Sequence, residues 1–349
     1  MTIDTQPLRT LDDAKRLQDL VYSAYGLTYH RSFMYEPQRL FDLNQSGQIR
    51  SAIAKDDRGS VLGHMATIRP WFESIPEDIA AKAPTAVELG LLIVHPGHRG
   101  RDLQSAVGLA CLMNEQAANP GLKNLFGKCL TLHTTSQRAG RAMLGRACSL
   151  LLGSVPNWVQ HELGERPDPM TTIVLQSPCT SDPRPMYVPR QREALVSDLV
   201  GASMLGRQVC GVDPGDAVLR GPTRCTRWFE PSRRRGVVHV WDAGVDVVDE
   251  VITAVDWLVA GHMEHVTVLL PIDEPGVAAI VPMLEDVGLF FGGFLPDLEG
   301  RDTLVMEYLG WNELDTGAIS LLGDESGPLK DAVVSDWRRT RGHRERMVG

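Results

Sequence analysis

From Thr85 to Val94 the chain reads Thr-Ala-Val-Glu-Leu-Gly-Leu-Leu-Ile-Val, and the next eight residues are His-Pro-Gly-His-Arg-Gly-Arg-Asp. In a strand, alternate side chains share a face, so Val87, Leu89, Leu91 and Ile93 make one wholly apolar face. Glu88, Gly90, Leu92 and Val94 make the other. The polar turn that follows cannot continue the strand, and it opens a helical pattern through Leu103, Val107, Ala110, Cys111 and Met113, ended by Asn119-Pro-Gly. Strand, tight glycine-containing turn and helix make an α/β unit. The crevice at such a turn is where ligands settle.

The rest of the chain supplies a frame for that unit. Leu8, Leu11, Ala14, Leu17, Leu20 and Val21 repeat at helical spacing. Ile49–Lys55 and Ser60–Ile68, separated by Asp-Asp-Arg-Gly, predict an antiparallel hairpin. The Pro-, Glu- and Ala-containing segment 71–84 predicts a loop placed to lie over a pocket. A strand is expected over Leu125–His133, then a helix from Thr134 through Ala139, Met143, Ala147, Leu150 and Leu151. Residues 170–176 read as a strand, and the proline-rich stretch after it as a linker. Beyond it the theme repeats: strand Gly236–Ala243, helix Val247–Ala260, strand His265–Pro271, helix Pro275–Val287, and strands Phe290–Phe294 and Thr303–Leu309.

Length and charge narrow the function classes. A chain of 349 residues suits two domains. Its net charge of −9 gives no general attraction to nucleic acid or an anionic membrane, and no nucleic-acid or membrane partner is expected. The N-terminus lacks a basic start followed by an apolar run, and no apolar stretch reaches the ~20 residues that span a bilayer, so the expected address is cytoplasmic. The six cysteines are scattered without a CxxC pair and read as buried thiols, so no metal is expected.

Val94, Pro96, Arg99 and Gly100 stand in register with the pattern V-x-P-x-x-R-G-x-G-x-G/A, and on these residues the chain resembles the GCN5-related N-acetyltransferases. The resemblance covers residues 8–155 in element order and about ten residues in specific motif. It implies a mixed sheet flanked by helices, an α/β (α+β) fold, with two such domains in tandem: 1–178 carrying the acyl-donor turn, a linker at 179–192, and 193–349 lacking that turn. It also implies acetyl-CoA or another acyl-CoA as donor. Leu92, Ile93 and Val94 would receive the pantetheine arm, and Arg99, Gly100, Arg101, Asp102, Leu103 and Gln104 would hold the pyrophosphate. Backbone N–H groups and a helix N-terminus suit that anion.

Asp102 and Gln104 occupy the two later glycine positions of the pattern. Asp102 is a good N-cap residue whose carboxylate competes for the same N–H groups and repels an anion. Either Asp102 turns aside and CoA binds, or the donor is an acyl-phosphopantetheine on an acyl carrier protein, which brings no pyrophosphate. A third alternative is a ligand-binding or regulatory protein that kept the fold and lost the chemistry.

For the acceptor, a small-molecule amine, Glu88 is the first candidate general base and His133 the second. The alternative for Glu88 is an exposed edge carboxylate, and for His133 a hydrogen-bonded strand end. Where many family members place an asparagine and, seven residues on, a tyrosine, this chain has Ser136 and Met143. Ser136 can contact the pantetheine arm, but Met143 has no proton to give a leaving thiolate. Tyr25 and Tyr29, in a cluster with Tyr22 and Tyr35, form either an aromatic helix corner or one wall of the acceptor pocket. Arg233–Arg235 and Arg338, Arg339, Arg341, Arg344 and Arg346 read as solvated basic runs able to meet an acidic partner. Paired acetyltransferase-like domains also occur in enzymes using aminoacyl-tRNA, which the negative charge disfavours.

Overall fold

The structure is a computed structural model describing residues 3–29, 31–100, 102–158, 168–215, 218–310 and 313–348, with side chains through residue 341. The chain forms two compact units. One takes the described residues of Met1–Phe72, Val87–Leu122 and Asn157–Pro167, and the other those of Glu73–Ala86, Lys123–Pro156 and Asp168–Gly349. These units group residues by packing and interleave along the chain, a different division from the sequential one the sequence suggests.

In the first unit the elements are β1 (Asp4–Pro7), α1 (Leu11–Tyr25), α2 (Pro37–Gln45), β2 (Ile49–Lys55), β3 (Val61–Ile68), β4 (Ala86–Val94) and α4 (Leu103–Ala118); the one-turn α3 (Glu77–Ala80) belongs to the second. The strands lie in the order β1-β2-β3-β4, all antiparallel. A capping box starts α1, with Thr10 Oγ1 accepting from the Asp13 amide and the Asp13 carboxylate accepting from the Thr10 amide. Its stripe Ala14, Leu17, Leu20 and Val21 is buried against α2 and β3. The predicted hairpin forms as β2 and β3, tied at its loop by Asp56 Oδ1, which accepts from the amides of Arg58 and Ser60. Helix α4 packs on β2 and β3 through Val107 and Cys111, while Met113, placed on the same face by its spacing, is exposed.

The second unit comprises β5 (Asn124–Leu130), α5 (Thr135–Leu144), β6 (Arg146–Val155), β7 (Met170–Pro178), β8 (Pro185–Pro189), α6 (Glu193–Ser203), β9 (Gln208–Val212), β10 (Arg224–Glu230), β11 (Arg235–Asp242), α7 (Val247–Ala260), β12 (His265–Pro271), α8 (Pro275–Asp286), β13 (Phe290–Leu298), β14 (Arg301–Leu309) and α9 (Gly327–Val348). Its large mixed sheet runs β5-β7-β6-β13-β14-β12-β11-β10, with β11 and β12 parallel, and β8 and β9 form a parallel ribbon. Helices flank these strands, α5 against β5 and β7, α7 against β11, and α9 against β13. The fold class is therefore mixed α/β.

Four expectations are corrected here. The helix expected to run from Thr134 to Leu151 stops at Leu144, where Gly145 adopts φ +76° and donates its N–H to the Arg141 carbonyl. Ala147–Val155 is instead a fully buried strand, because a segment buried on every side, centred on Leu150, Leu151 and Leu152, carries no helical period. The proline-rich stretch 179–192 carries β8 and a buried ion cluster, so it is packed structure. Arg184 and Arg207 both bond Asp297 and Asp302, whose side chains are buried. Finally, Arg233 and Arg235 are buried and only Arg234 of that run is exposed, paired with Glu264. Arg338, Arg339 and Arg341 are exposed, with Arg339 bonded to Glu285 and Asp336; the side chains of Arg344 and Arg346 lie outside the described residues. Cys111, Cys129 and Cys148 are buried, whereas Cys179 is exposed and Cys210 and Cys225 are half-buried.

Candidate functional site

Strand β4 is not a regular strand. Its pairing with β3 runs Ile68–Glu88, Thr67–Leu89 and Ala66–Gly90, then resumes at His64–Ile93 and Gly63–Val94. Leu91 and Leu92 therefore face Met65 alone, a β-bulge that places one extra residue in β4. Leu91 takes φ +54°, a conformation costing a residue with a Cβ roughly 1–2 kcal/mol. Beside the bulge, on β3, stands His64, which is wholly buried. The His64 Nδ1 lies 2.8 Å from the Leu91 carbonyl oxygen and its Nε2 lies 3.0 Å from Ser51 Oγ. Nothing in the sequence motif points to His64; its one signal is a titratable residue inside the otherwise apolar run Val61–Met65.

Burial pushes the His64 pKa down to about 4, against a smaller upward pull from the Leu91 carbonyl. Burial, then the Arg301 charge, pushes His239 of the second unit down to about 3. The unfolded chain thus takes protons these rings refuse. Their contribution to stability is fully present above pH ~6.5 and is lost as pH falls through the folded values, about 3 kcal/mol for His64 by pH ~4. A melting temperature that falls from pH 7 to pH 5, with a shallower fall in His64→Gln, is expected; equal slopes would contradict it.

The turn after β4 is ordered by its own backbone. The His95 N–H donates to the Leu62 carbonyl, His95 Nδ1 accepts from the Gly97 amide at 3.1 Å, and the His98 N–H donates to the His95 carbonyl. Arg99 and Gly100 are exposed, with Gly100 at φ +80° and open space where a Cβ would stand. Arg101 lies outside the described residues.

Asp102 occupies the N-cap position of α4 in the left-handed conformation, φ 57° and ψ 20°, and its side chain makes no capping bond. Its carboxylate instead accepts from the Ser105 hydroxyl. The competition anticipated for the first amides of α4 is absent, because a left-handed N-cap directs the side chain away from the N2 and N3 amides that an extended one reaches. Leu103 anchors the helix start in the core, Gln104 is exposed, Leu92 and Val94 are half-buried and Ile93 is buried.

Glu88 sits half-buried on β4, on the same face as Gly90, with Oε1 3.6 Å from where a Gly90 Cβ would stand. Its charge reaches Tyr29. Burial drives that phenol's pKa far up, with further upward pushes from Tyr25 and Glu88 and an opposing one from Arg31. The rings of Tyr25 and Tyr29 lie 4.8 Å apart, and Tyr35 Oη ties the corner by accepting from the Tyr29 amide and donating to the Gly26 carbonyl. The tyrosines thus form a packed corner: Tyr29 is buried in the first unit's core, within reach of the Glu88 charge, and Tyr25 packs against that core half-buried.

His133 and Ser136 belong to the second unit. The His133 ring is exposed and its carbonyl accepts from Gln137 Nε2, while Ser136 Oγ donates to the Leu130 carbonyl at 3.4 Å. The segment 73–84 has partners there too, with Thr226 Oγ1 donating to the Ser74 carbonyl and Arg224 paired with Asp78. In the repeat of the theme, pairing of the parallel strands β11 and β12 ends at His239–Leu269. Beyond that point Arg301 donates to the Trp241 carbonyl and pairs with Asp273. A guanidinium therefore sits among the residues where the parallel strands part.

No protein-family model matches the chain, and no curated protein matches it. Among solved structures, the chain is similar to a GNAT superfamily phosphinothricin acetyltransferase from Sinorhizobium meliloti in complex with AcCoA: 17% identity over 51% of this chain and 89% of that one, TM-score 0.39. It is also similar to an N-acetyltransferase from Staphylococcus aureus Mu50, at 14% identity over 52% of this chain and 100% of that one, TM-score 0.38. Among the described residues no helix is long and apolar enough to cross a membrane.

Proposed function

We propose that this chain is an acyl-CoA-dependent N-acyltransferase, an N-acetyltransferase in the simplest case, acting on a small amine. The observation that carries the reading is the bulged β4 leading into Val94-x-Pro96-x-x-Arg99-Gly100, with the Asp102 carboxylate bonded to Ser105 and away from the α4 amides. An anion fits such a turn: an open glycine at φ +80°, an exposed arginine and an uncapped helix start. Arg99, Gly100, Arg101, Leu103 and Gln104 would hold the donor, and Leu92–Val94 its pantetheine arm. The donor supplies a thioester. The acceptor nitrogen attacks its carbonyl carbon, a C–N bond forms, the C–S bond breaks, and the proton lost from nitrogen is balanced by one gained by the thiol. In this reading Glu88 would act as base, and Tyr25 and Tyr29 would give one aromatic wall of the acceptor pocket. We assign 1–178 and 193–349 as two acetyltransferase-like repeats of a cytoplasmic protein.

Acetyl-CoA at one hundred times its Kd is expected to stabilise the protein by about 2.7 kcal/mol, read as a rise in melting temperature. Gly100→Glu, which puts a charged side chain at positive φ, is expected to abolish that rise. If no acyl-CoA stabilises the wild type, the CoA reading fails. Asp102, exposed beside the turn, supports a second reading in which an acyl carrier protein is the donor. In that case an acylated carrier supports transfer while free acyl-CoA is inert.

A further inference from the structure

We infer that His64 is a positioning residue that sets the backbone of the β4 bulge, and through it the amide that faces the donor's thioester. The inference rests on the acyltransferase reading for its chemistry, but its geometry stands alone. A leucine held at φ +54° in mid-strand needs an external restraint, and the Leu91 carbonyl oxygen has one in His64 Nδ1 at 2.8 Å. The ring is fixed from its other side by Ser51 Oγ at 3.0 Å, so both nitrogens are occupied and the imidazole cannot turn.

Residues of three adjacent strands are thereby linked: Ser51 of β2, His64 of β3 and Leu91 of β4. The Leu91 carbonyl and the Leu92 N–H belong to one peptide plane, so fixing the first fixes the second. In acyl transfer an oriented backbone N–H polarises the carbonyl under attack, and its value lies in being held before the substrate arrives. No titratable side chain other than His64 bonds this carbonyl among the described residues. Asn fits the role where Ala does not, because its amide N–H can reach the place of Nδ1.

The test uses His64→Ala and His64→Asn in the full chain, each first shown folded by circular dichroism. Turnover with acetyl-CoA is expected to fall at least about tenfold in kcat for His64→Ala with KM for the donor within about twofold, and to recover most of the loss in His64→Asn. Equal kcat in folded His64→Ala and wild type overturns the inference. A crystal structure of either variant gives a readout that needs no activity: Leu91 is expected to leave positive φ in His64→Ala and keep it in His64→Asn. Should His64→Ala fail to fold, Ser51→Ala, which frees one side of the ring, is expected to give an intermediate loss in kcat. Wild-type protein inert with every acyl donor defeats the function reading alone, and Leu91 still at positive φ in His64→Ala defeats the positioning role alone.

Discussion

Replacing Arg207 by alanine is expected to destabilise the protein by about 3–5 kcal/mol, the range for breaking a buried ion cluster by removing one member. The Arg207 side chain is wholly buried, with Nε 2.8 Å from Asp302 Oδ2, Nη2 2.8 Å from Asp297 Oδ1, and Nη1 donating to the Asp182 and Leu205 carbonyls. Its removal leaves two buried carboxylates with one guanidinium, the partly exposed Arg184, and the Asp297 amide that donates to Asp302. Burial already holds the Asp297 pKa above the ordinary carboxylate range, with Arg207 pulling it back down. Without that pull the folded state binds protons more tightly than the unfolded one, so stability falls as pH rises. The deficit measured by urea unfolding should therefore be larger at pH 8 than at pH 5. Arg207→Lys should rescue little, since one ammonium cannot serve both carboxylates and the carbonyls with a planar fork. A loss under about 1 kcal/mol would show that the cluster is dispensable.

Gly293→Ala is the second large effect. Strand β13 meets β6 at Gly293 and Ser149, and there the glycine has φ +125°. An added Cβ would stand 2.4 Å from the Cys148 carbonyl oxygen and 2.5 Å from the Ser149 Cα, both backbone atoms that cannot yield without breaking the strand contact. Overpacking and disfavoured dihedrals together are expected to cost about 3–5 kcal/mol. Gly100→Ala is the control, because it carries positive φ with open space around it. It should cost only about 1–2 kcal/mol, the conformational part alone. Equal losses in the two variants, read by thermal unfolding, would mean that the close approach of β13 to β6 contributes nothing.

These two cases mark where sequence reading stops. Helix α7, strand β12 and hairpin β2–β3 form where the sequence places them, α7 by its helical spacing and the strands as short runs bounded by turn residues. The run Ala147–Val155 is buried at every position, Ser149 and Ser154 included, and it became a strand because β7 pairs along it. Arg233 and Arg235 look like surface charge until their neighbours in space bury them.

The same division holds within the site. By itself, the sequence determined the strand, the turn through Val94, Pro96, Arg99 and Gly100, and the helix after it, since these follow from alternation, proline and glycine constraints within twenty residues. Tertiary structure alone decided the bulge at Leu91, the rotation of Asp102 toward Ser105, and the use of His64 as a brace. A bulge is a mismatch between two strands, and the residue that holds it is 27 positions away in the chain. Such a constraint becomes visible only when β3 and β4 lie side by side.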